Sequence, residues 1–227
     1  MSGECLGLIG GLGVGATTWY YEKLFAARES GGRLLNLVMA HAEVSRVFEF
    51  VGAEDPAGLA TYLAGFVRRL EAAGATFAVI PAITPHYCIR ELVEISALPI
   101  VDIITPLRKE IEARGLRRVA LFGTRFVIES AIYGLVPGVQ FVPPRREEID
   151  MIHDTYVGLT RTSKGSTLQL ETMTNLAHTL IRRDNVDAIV LAGTDLTSLF
   201  DESNTGFPHL DCAALHLSAI TGRLWAD

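Results

Sequence analysis

The sequence predicts an α/β protein built from parallel sheets that are flanked by helices. Short apolar runs alternate with longer amphipathic segments along the chain, which is typical of strands joined by helical crossovers. The runs with the composition of buried strands are 6–11, 34–40, 76–82, 99–104, 118–123, 139–144 and 188–193. The segments with apolar residues three and four positions apart, as in helices that cover a sheet, are 16–29, 56–73, 86–96, 106–114, 126–135, 147–160 and 169–183.

The order of these elements repeats, which predicts two pseudo-symmetric lobes. "LGLIGGLGVGATTWYYEKL" and "VALFGTRFVIESAIYGLV" both place a strand, a small-residue turn and a helix in succession. "FAVIPAITPHYCIREL" and "DAIVLAGTDLTSLF" form a second such pair. We expect the first lobe to comprise residues 1–98 plus 209–227, with a C-terminal helix near 212–226, and the second to comprise 99–208. Parallel sheets bind ligands beyond the carboxyl ends of their strands, so a ligand cleft is expected between the lobes.

Composition limits the class of protein. A chain of 227 residues with 49% hydrophobic residues can bury a core, and its formal charge of −6 argues against nucleic acid as a partner. Neither a membrane helix nor a signal peptide is indicated, so no membrane partner and a cytoplasmic location are predicted. Cys5, Cys88 and Cys212 lack CxxC spacing, which argues against a disulfide framework or a zinc site.

The first strand is followed by the glycine loop "GGLGVGA" at residues 10–16. Gly11, Gly13 and Ala16 match GxGxxA, and Glu43 near the end of the next strand would suit a dinucleotide site. The start of a helix after glycines equally favours a carboxylate or phosphate, which is the preferred interpretation, and a purely structural turn is the third. Thr17 either adds a hydroxyl donor or caps the helix.

The third strand runs into "VIPAITPHYC" at residues 79–88, which presents Thr84 and His86. Pro85 suits the first position of a helix. A histidine at such a position acts as a general acid or base, or hydrogen-bonds the loop; both interpretations are open.

Together these residues resemble the aspartate/glutamate racemase family over nearly the whole chain. The matching segments are the family's G-G-x-G-P-x-A-T at 10–17, P-C-N-T-A-H at 81–86, A-T-x-G-T-x-x-S-x-x-Y in "GTRFVIESAIY", G-C-T-E at 192–195, and D-T-x-x-x-H at Asp211, Cys212 and His216. The resemblance implies the two-lobed fold, a homodimer and catalysis without a cofactor or metal. Trp19 and Tyr20 are candidates for an exposed aromatic pair at a dimer interface.

The resemblance also implies a reaction in which one thiol lies on each face of the substrate's α-carbon. Here Ala82 and Gly193 occupy the two thiol positions, and Ile83 replaces the asparagine that follows the first thiol. Neither Ala82 nor Gly193 can carry a proton, so the chain is identified as a divergent member that lacks both catalytic cysteines. Cys88 is expected to be a helix-face or core thiol.

The candidate catalytic residues are His86, Asp195, Thr84 and Thr194. His86 and Asp195 are ionisable, whereas a threonine hydroxyl is too weak an acid and base and is expected to bind a carboxylate. The candidate substrate-binding residues are Gly11, Gly13, Thr17, Arg46, Ala82, Ile83, Thr124, Lys164 and Gly193. Arg161 is the alternative to Lys164.

The predicted function is binding of a small carboxylate or amino acid in the cleft, with isomerase or lyase chemistry other than two-cysteine racemisation. Whether the protein is an enzyme is open. One alternative is a non-catalytic ligand sensor or accessory protein. The other is an amino-acid racemase that uses acid and base groups other than cysteine.

Overall fold

The computed structural model describes residues 3–31, 33–162, 164–201 and 203–226. The described chain divides into two compact units. The first unit comprises the residues up to 103 together with those from 216 onward, and the second comprises residues 104–215. These divisions fall a few residues after the boundaries expected from the sequence.

The first unit contains a parallel sheet of four strands in the order β2-β1-β3-β4. Its strands are β1 (Leu6–Gly10), β2 (Leu37–His41), β3 (Phe77–Val79) and β4 (Ile100–Val101). Its helices are α1 (Val14–Gly31), α2 (Val44–Gly52), α3 (Pro56–Ala72), a 3₁₀ helix (Thr84–Cys88) and α4 (Ile89–Ile95).

The second unit contains a parallel sheet in the order β6-β5-β7-β8. Its strands are β5 (Arg118–Phe122), β6 (Gln140–Phe141), β7 (Ala188–Leu191) and β8 (His209–Asp211). Its helices are α5 (Ile104–Ala113), α6 (Arg125–Glu129), a 3₁₀ helix (Ile132–Gly134), α7 (Arg146–Thr162), α8 (Thr167–Asp184) and a 3₁₀ helix (Thr194–Ser198). Helix α9 (Cys212–Leu224) closes the described chain.

The two sheets have the same order of strands, which confirms the predicted α/β fold and its internal repeat. The third strand of each sheet, β3 and β7, is followed by a five-residue 3₁₀ helix that starts at a threonine. Since strands in a parallel sheet end at the same edge, the repeat puts two comparable loops at the carboxyl ends of the sheets.

Helix boundaries follow recognisable signals. Helix α3 begins with Pro56, and the Asp55 carboxylate accepts a hydrogen bond from the Gly58 N–H at 2.8 Å. Helix α8 begins with a capping box formed by Ser166 and Gln169. Helix α3 contacts strands β1, β2 and β3, and its buried residues include Leu59, Leu63, Phe66, Val67 and Leu70. These caps and this apolar stripe explain why both helices lie close to their predicted ranges.

The single helix predicted over 126–135 is wrong. Helix α6 ends at Glu129, and Ala131, Ile132 and Tyr133 then have φ values of 49°, 51° and 59°. This left-handed region is costly for side chains with a Cβ, and most of all for β-branched isoleucine. The chain therefore makes a left-handed turn where the apolar periodicity predicted a continuous right-handed helix.

Other details of local structure differ from what the sequence led us to expect. Helix α2 and strand β8 were not predicted, and the run 34–40 forms a strand only from Leu37 onward. Tyr20 is fully buried, so an exposed Trp19–Tyr20 pair is wrong; the neighbouring Tyr21 is exposed instead.

In the described chain, no helix combines the length and apolarity needed to cross a membrane.

Candidate functional site

The glycine turn after β1 is closed by its own threonine. The Thr17 hydroxyl donates to the Gly13 carbonyl at 2.7 Å and accepts from the Gly11 N–H at 3.2 Å. Gly11 has a φ of 85°, and a Cβ there would lie 2.3 Å from the Ala42 carbonyl oxygen. Glycine is required at Gly11 for both reasons, and Thr17 fastens the turn rather than leaving its proton for a ligand.

His86 is completely buried and both of its ring nitrogens bond the backbone. Nδ1 lies 2.8 Å from the Ala82 carbonyl oxygen, and the Ile103 N–H donates to Nε2 at 3.1 Å. Since a carbonyl oxygen only accepts, Nδ1 carries the proton and the ring is neutral. Burial lowers the pKa of His86, while Asp102 acts in the opposite direction. This geometry favours a positioning role; the catalytic role stays a prediction.

A second buried histidine, His216, bonds the edge strand β4, two residues before Ile103. Its Nε2 donates to the Val101 carbonyl at 2.8 Å, and its Nδ1 accepts from the Tyr20 hydroxyl at 3.0 Å. Burial lowers the pKa of His216 to about 3. The two-residue strand β4 and the residues that follow it are thus held by two neutral imidazoles, which connect β4 to the loop after β3 and to α1.

These histidines predict acid destabilisation in a specific window. The unfolded chain protonates its histidines near pH 6.5, whereas folded His216 stays neutral down to about pH 3, so the unfolded state binds more protons in between. Stability is therefore complete above the unfolded pKa and falls with falling pH. We expect the free energy of unfolding in urea to drop by about 2 kcal/mol between about pH 7.5 and pH 5 from His216 alone.

The variant His216→Gln isolates this contribution. Its free energy of unfolding should vary less with pH across that window than that of the natural chain. The carboxylates whose pKa is lowered, such as Glu148 and Asp187, lose their contribution only at more acidic pH, below their unfolded values of 4.5 and 3.8. An identical pH slope in His216→Gln would show that the buried imidazole is not the cause.

Ala82, Ile83 and Thr84, which precede His86 in the loop after β3, have no ionisable side chain. Ala82 and Ile83 are buried, and Thr84 is partly exposed. Cys88 is fully buried, its thiol donates to the Pro85 carbonyl at 3.3 Å, and burial raises its pKa to about 12. A thiol with this pKa is not a thiolate near neutral pH.

Arg46, a predicted substrate contact, lies on α2 with an exposed side chain. It forms an ion pair with Glu49, and its guanidinium lies 5.4 Å from the centre of the Phe50 ring. His41 and Glu43, at the end of β2, form an exposed pair at 3.3 Å. Both acidic partners are on the surface, where such pairs contribute little to stability.

In the second unit, the loop after β7 is covered by a residue that the sequence did not single out. Tyr156 of α7 lies over Gly193, and a Cβ added at Gly193 would come 2.2 Å from the Tyr156 Cε2 atom. The Tyr156 hydroxyl donates to Asp195 Oδ2 at 3.1 Å. Asp195 and Thr194 are each 2% exposed. The Tyr156 ring therefore fills the space into which a side chain at position 193 would extend.

The hydroxyl of Tyr156 stays protonated in this environment. Burial and the negative charge of Asp195 raise its pKa well above the usual value, although hydrogen bonds from the Asp195 N–H and from Thr194 act in the opposite direction. A buried carboxylate needs partners, and Tyr156 supplies one to Asp195. The arrangement is a phenol–carboxylate pair at the carboxyl end of the third strand of this sheet.

Two further predicted residues lie beside this loop. Thr124 caps α6 by accepting from the Val127 N–H at 3.2 Å, and a Cβ at the preceding Gly123 would lie 2.8 Å from the Ala192 carbonyl oxygen. The segment that carries Lys164 is tied to the 3₁₀ helix after β7, because the Gly165 N–H donates to the Ser198 carbonyl at 3.1 Å. Gly193, Thr194, Asp195, Thr124 and Lys164 are thus brought to one edge of the second sheet.

No group of three histidine, cysteine or acidic side chains with the geometry to hold a metal ion occurs among residues 3–31, 33–162, 164–201 and 203–226. Tyr156 is the main residue that sequence reasoning missed. It lies in the middle of the helix predicted at 147–160, and only its tertiary contact with Gly193 reveals it.

Comparisons with known proteins agree with this architecture. A family model described as Asp/Glu/Hydantoin racemase matches residues 9–220. A structure from Yersinia pestis described as a candidate Asp/Glu racemase has a TM-score of 0.82 at 21% identity and covers 97% of this chain and 99% of its own. The aspartate racemase of Picrophilus torridus has a TM-score of 0.73 at 20% identity and covers 98% and 94%.

An arylmalonate decarboxylase is also similar in structure. Its TM-score is 0.54 at 15% identity, and the match covers 98% of this chain and 93% of that one. At these identities the solved structures show a shared fold. The fold is therefore common to proteins described as racemases and to one described as a decarboxylase.

Proposed function

Because the chain belongs to the Asp/Glu/hydantoin racemase family, we propose that it binds a small carboxylate or amino acid and transfers a proton at an acidified carbon without using a thiol. The observation that carries this proposal is the burial of its cysteines, which keeps their thiols protonated. All three of them, Cys5, Cys88 and Cys212, are buried, and burial raises the pKa of each thiol. The motif resemblance further predicts that Ala82 and Gly193 stand where the family has its two catalytic thiols.

Of the two ionisable candidates, His86 and Asp195, only Asp195 is left with a side-chain partner that can exchange a proton. His86 bonds the backbone through both nitrogens, whereas Asp195 has a titratable partner in Tyr156. A single carboxylate removes a proton and returns it on the same face of a carbon, which suits isomerase or lyase chemistry better than racemisation from two faces. The decarboxylase of the same fold supports a lyase in particular.

Several features support an anionic ligand. The loops after β3 and β7 end in threonines that open short helices, and the segment of Lys164 lies beside the second loop. Threonine hydroxyls, backbone N–H groups and an ammonium group are suitable partners for a carboxylate. The predicted shared cleft, the cytoplasmic location and the homodimer stay predictions.

Solvent deuterium exchange tests the proposal. We expect NMR to show deuterium entering the α-carbon of a substituted malonate, or loss of carbon dioxide from it. Asp195→Asn should lower this rate at least about 100-fold. Alkylation with iodoacetamide should leave the rate unchanged, because no thiol takes part. A rate that alkylation abolishes, or that Asp195→Asn leaves intact, would contradict the proposal.

A second candidate function is a ligand sensor without catalysis. The near-complete burial of Asp195 and the backbone bonds of His86 favour it, since both groups are then structural. Saturable binding of dicarboxylates with no exchange and no turnover is the result expected for a sensor. Interconversion of aspartate or glutamate enantiomers would instead indicate a racemase that uses groups other than cysteine.

A further inference from the structure

Glycine is required at position 193 because of the neighbouring Tyr156 ring, and not because of the backbone conformation there. Its φ of −145° and ψ of 116° are extended values that any residue adopts. The ring of Tyr156, by contrast, leaves no room for a Cβ, because Cε2, Cδ2 and Cζ would lie 2.2, 2.9 and 3.0 Å from it. The aromatic ring has therefore taken the space that a thiol would need.

The exposure of the three side chains in this cluster differs. Asp195 and Thr194 are almost inaccessible to solvent, whereas Tyr156 is partly exposed. Although the Tyr156 hydroxyl itself is desolvated, the Tyr156 side chain is the more accessible member of the pair. The Asp195 carboxylate is almost inaccessible, and its Oδ2 lies at hydrogen-bonding distance from the phenol.

The hydrogen bond from Tyr156 to Asp195 sets the direction in which a proton can move between these two side chains. Tyr156 Oη donates to Asp195 Oδ2, so a proton that arrives at Oη can be matched by departure of the phenolic proton to the carboxylate. The tyrosine never has to exist as a phenolate, which fits the raised pKa of its hydroxyl. The negative charge leaves a buried carboxylate in this step, which lowers the cost of its burial.

We infer that Tyr156 is the catalytic residue that contacts the ligand at this loop and that it relays a proton between the ligand and the buried carboxylate of Asp195. The inference rests on the proposed function. In the step, a C–H bond next to a carboxylate breaks, its proton passes to Tyr156 Oη, and the Oη–H proton passes to Asp195 Oδ2. The electron pair of the C–H bond is held by the ligand's own carboxylate as an enediolate, and the reverse transfer returns the proton.

Two measurements on Tyr156→Phe test the relay. This variant keeps the ring over Gly193 and removes only the hydroxyl. We expect deuterium exchange or turnover of a substituted malonate to fall at least about 100-fold, while binding of the malonate is retained. Tyr21→Phe, an exposed tyrosine on α1, is the matched control and should keep the natural rate.

The second measurement does not depend on activity. With 3-fluorotyrosine at the six tyrosines, the ¹⁹F signal of Tyr156 is identified by its absence from Tyr156→Phe. Titration with malonate and with L-aspartate should shift this signal and leave that of Tyr21 in place.

The possible outcomes distinguish the proton relay through Tyr156 from the proposed function on which it rests. If the natural chain and Tyr156→Phe exchange at equal rates, the relay is overturned and the proposed function stands. If the natural chain exchanges no proton with any probe, the proposed chemistry fails, and a Tyr156 signal that no probe shifts overturns the ligand contact as well. A shifted signal together with loss of exchange in Tyr156→Phe supports the relay.

Discussion

Gly193→Cys is expected to lower the free energy of unfolding by about 3 kcal/mol and to produce no working thiol. Its Cβ would overlap the ring of Tyr156, whose Cε2 atom lies 2.2 Å from the ideal Cβ position. Overpacking of this kind costs roughly 1–3 kcal/mol in a packed core, and an overlap with a ring falls at the upper end. Urea unfolding of the single variant measures this cost.

The matched experiment repeats the substitution in a Tyr156→Ala background. There the ring is absent and the extended backbone of Gly193 accepts a side chain, so Gly193→Cys should be neutral or slightly stabilising. The double-mutant cycle should therefore give a coupling free energy of about 2–3 kcal/mol. Because the native cysteines are buried, a thiol reagent under native conditions reports the new thiol, which should react only in the double variant. Equal costs in both backgrounds would mean that Tyr156 is not the obstacle.

His86→Leu is expected to destabilise the protein by about 3 kcal/mol. Leucine fills much of the volume but leaves the Ala82 carbonyl and the Ile103 N–H without their partner in a fully buried place. Each buried group left unpaired costs about 1–3 kcal/mol. His178→Leu, at a partly exposed histidine of the second unit, is the comparison and should cost less than about 1 kcal/mol.

His86→Gln separates positioning from catalysis at this residue. The amide retains a donor and an acceptor, so part of the lost stability should return relative to His86→Leu. If His86 only positions the loop, the folded variant should keep most of its exchange activity. Complete loss of exchange in a folded His86→Gln variant would instead restore the predicted role of His86 as an acid or base.

The sequence predicted the fold well because its signals are local. Apolar strands at regular intervals and the repeated strand–turn–helix order indicated two parallel sheets, and both sheets have the same strand order. The elements that were missed lack such signals. Strand β8 has three residues and exists through its pairing with β7, and Glu43, the N-cap residue of α2, makes no side-chain capping hydrogen bond. The left-handed turn at Ala131 to Tyr133 contradicts the preferences of its own residues.

The candidate site was predictable in part. The strand-end loops that hold Thr84, His86, Thr194 and Asp195 follow from the order of the elements. The hydrogen bonds of His86 and the contact of Tyr156 do not, because both depend on packing between residues that are distant in sequence. A histidine after a strand looks the same in sequence whether its nitrogens face a ligand or bond the backbone.

The contact between Tyr156 and Gly193 also restricts the order in which mutations can accumulate in a lineage. A single change to cysteine at position 193 meets the ring, and we expect the resulting instability to be selected against. Prior shortening of Tyr156 opens the space but removes the hydroxyl that donates to Asp195. Each single step away from the present pair is therefore expected to carry a cost, so a thiol at position 193 would require two substitutions with a less stable intermediate between them.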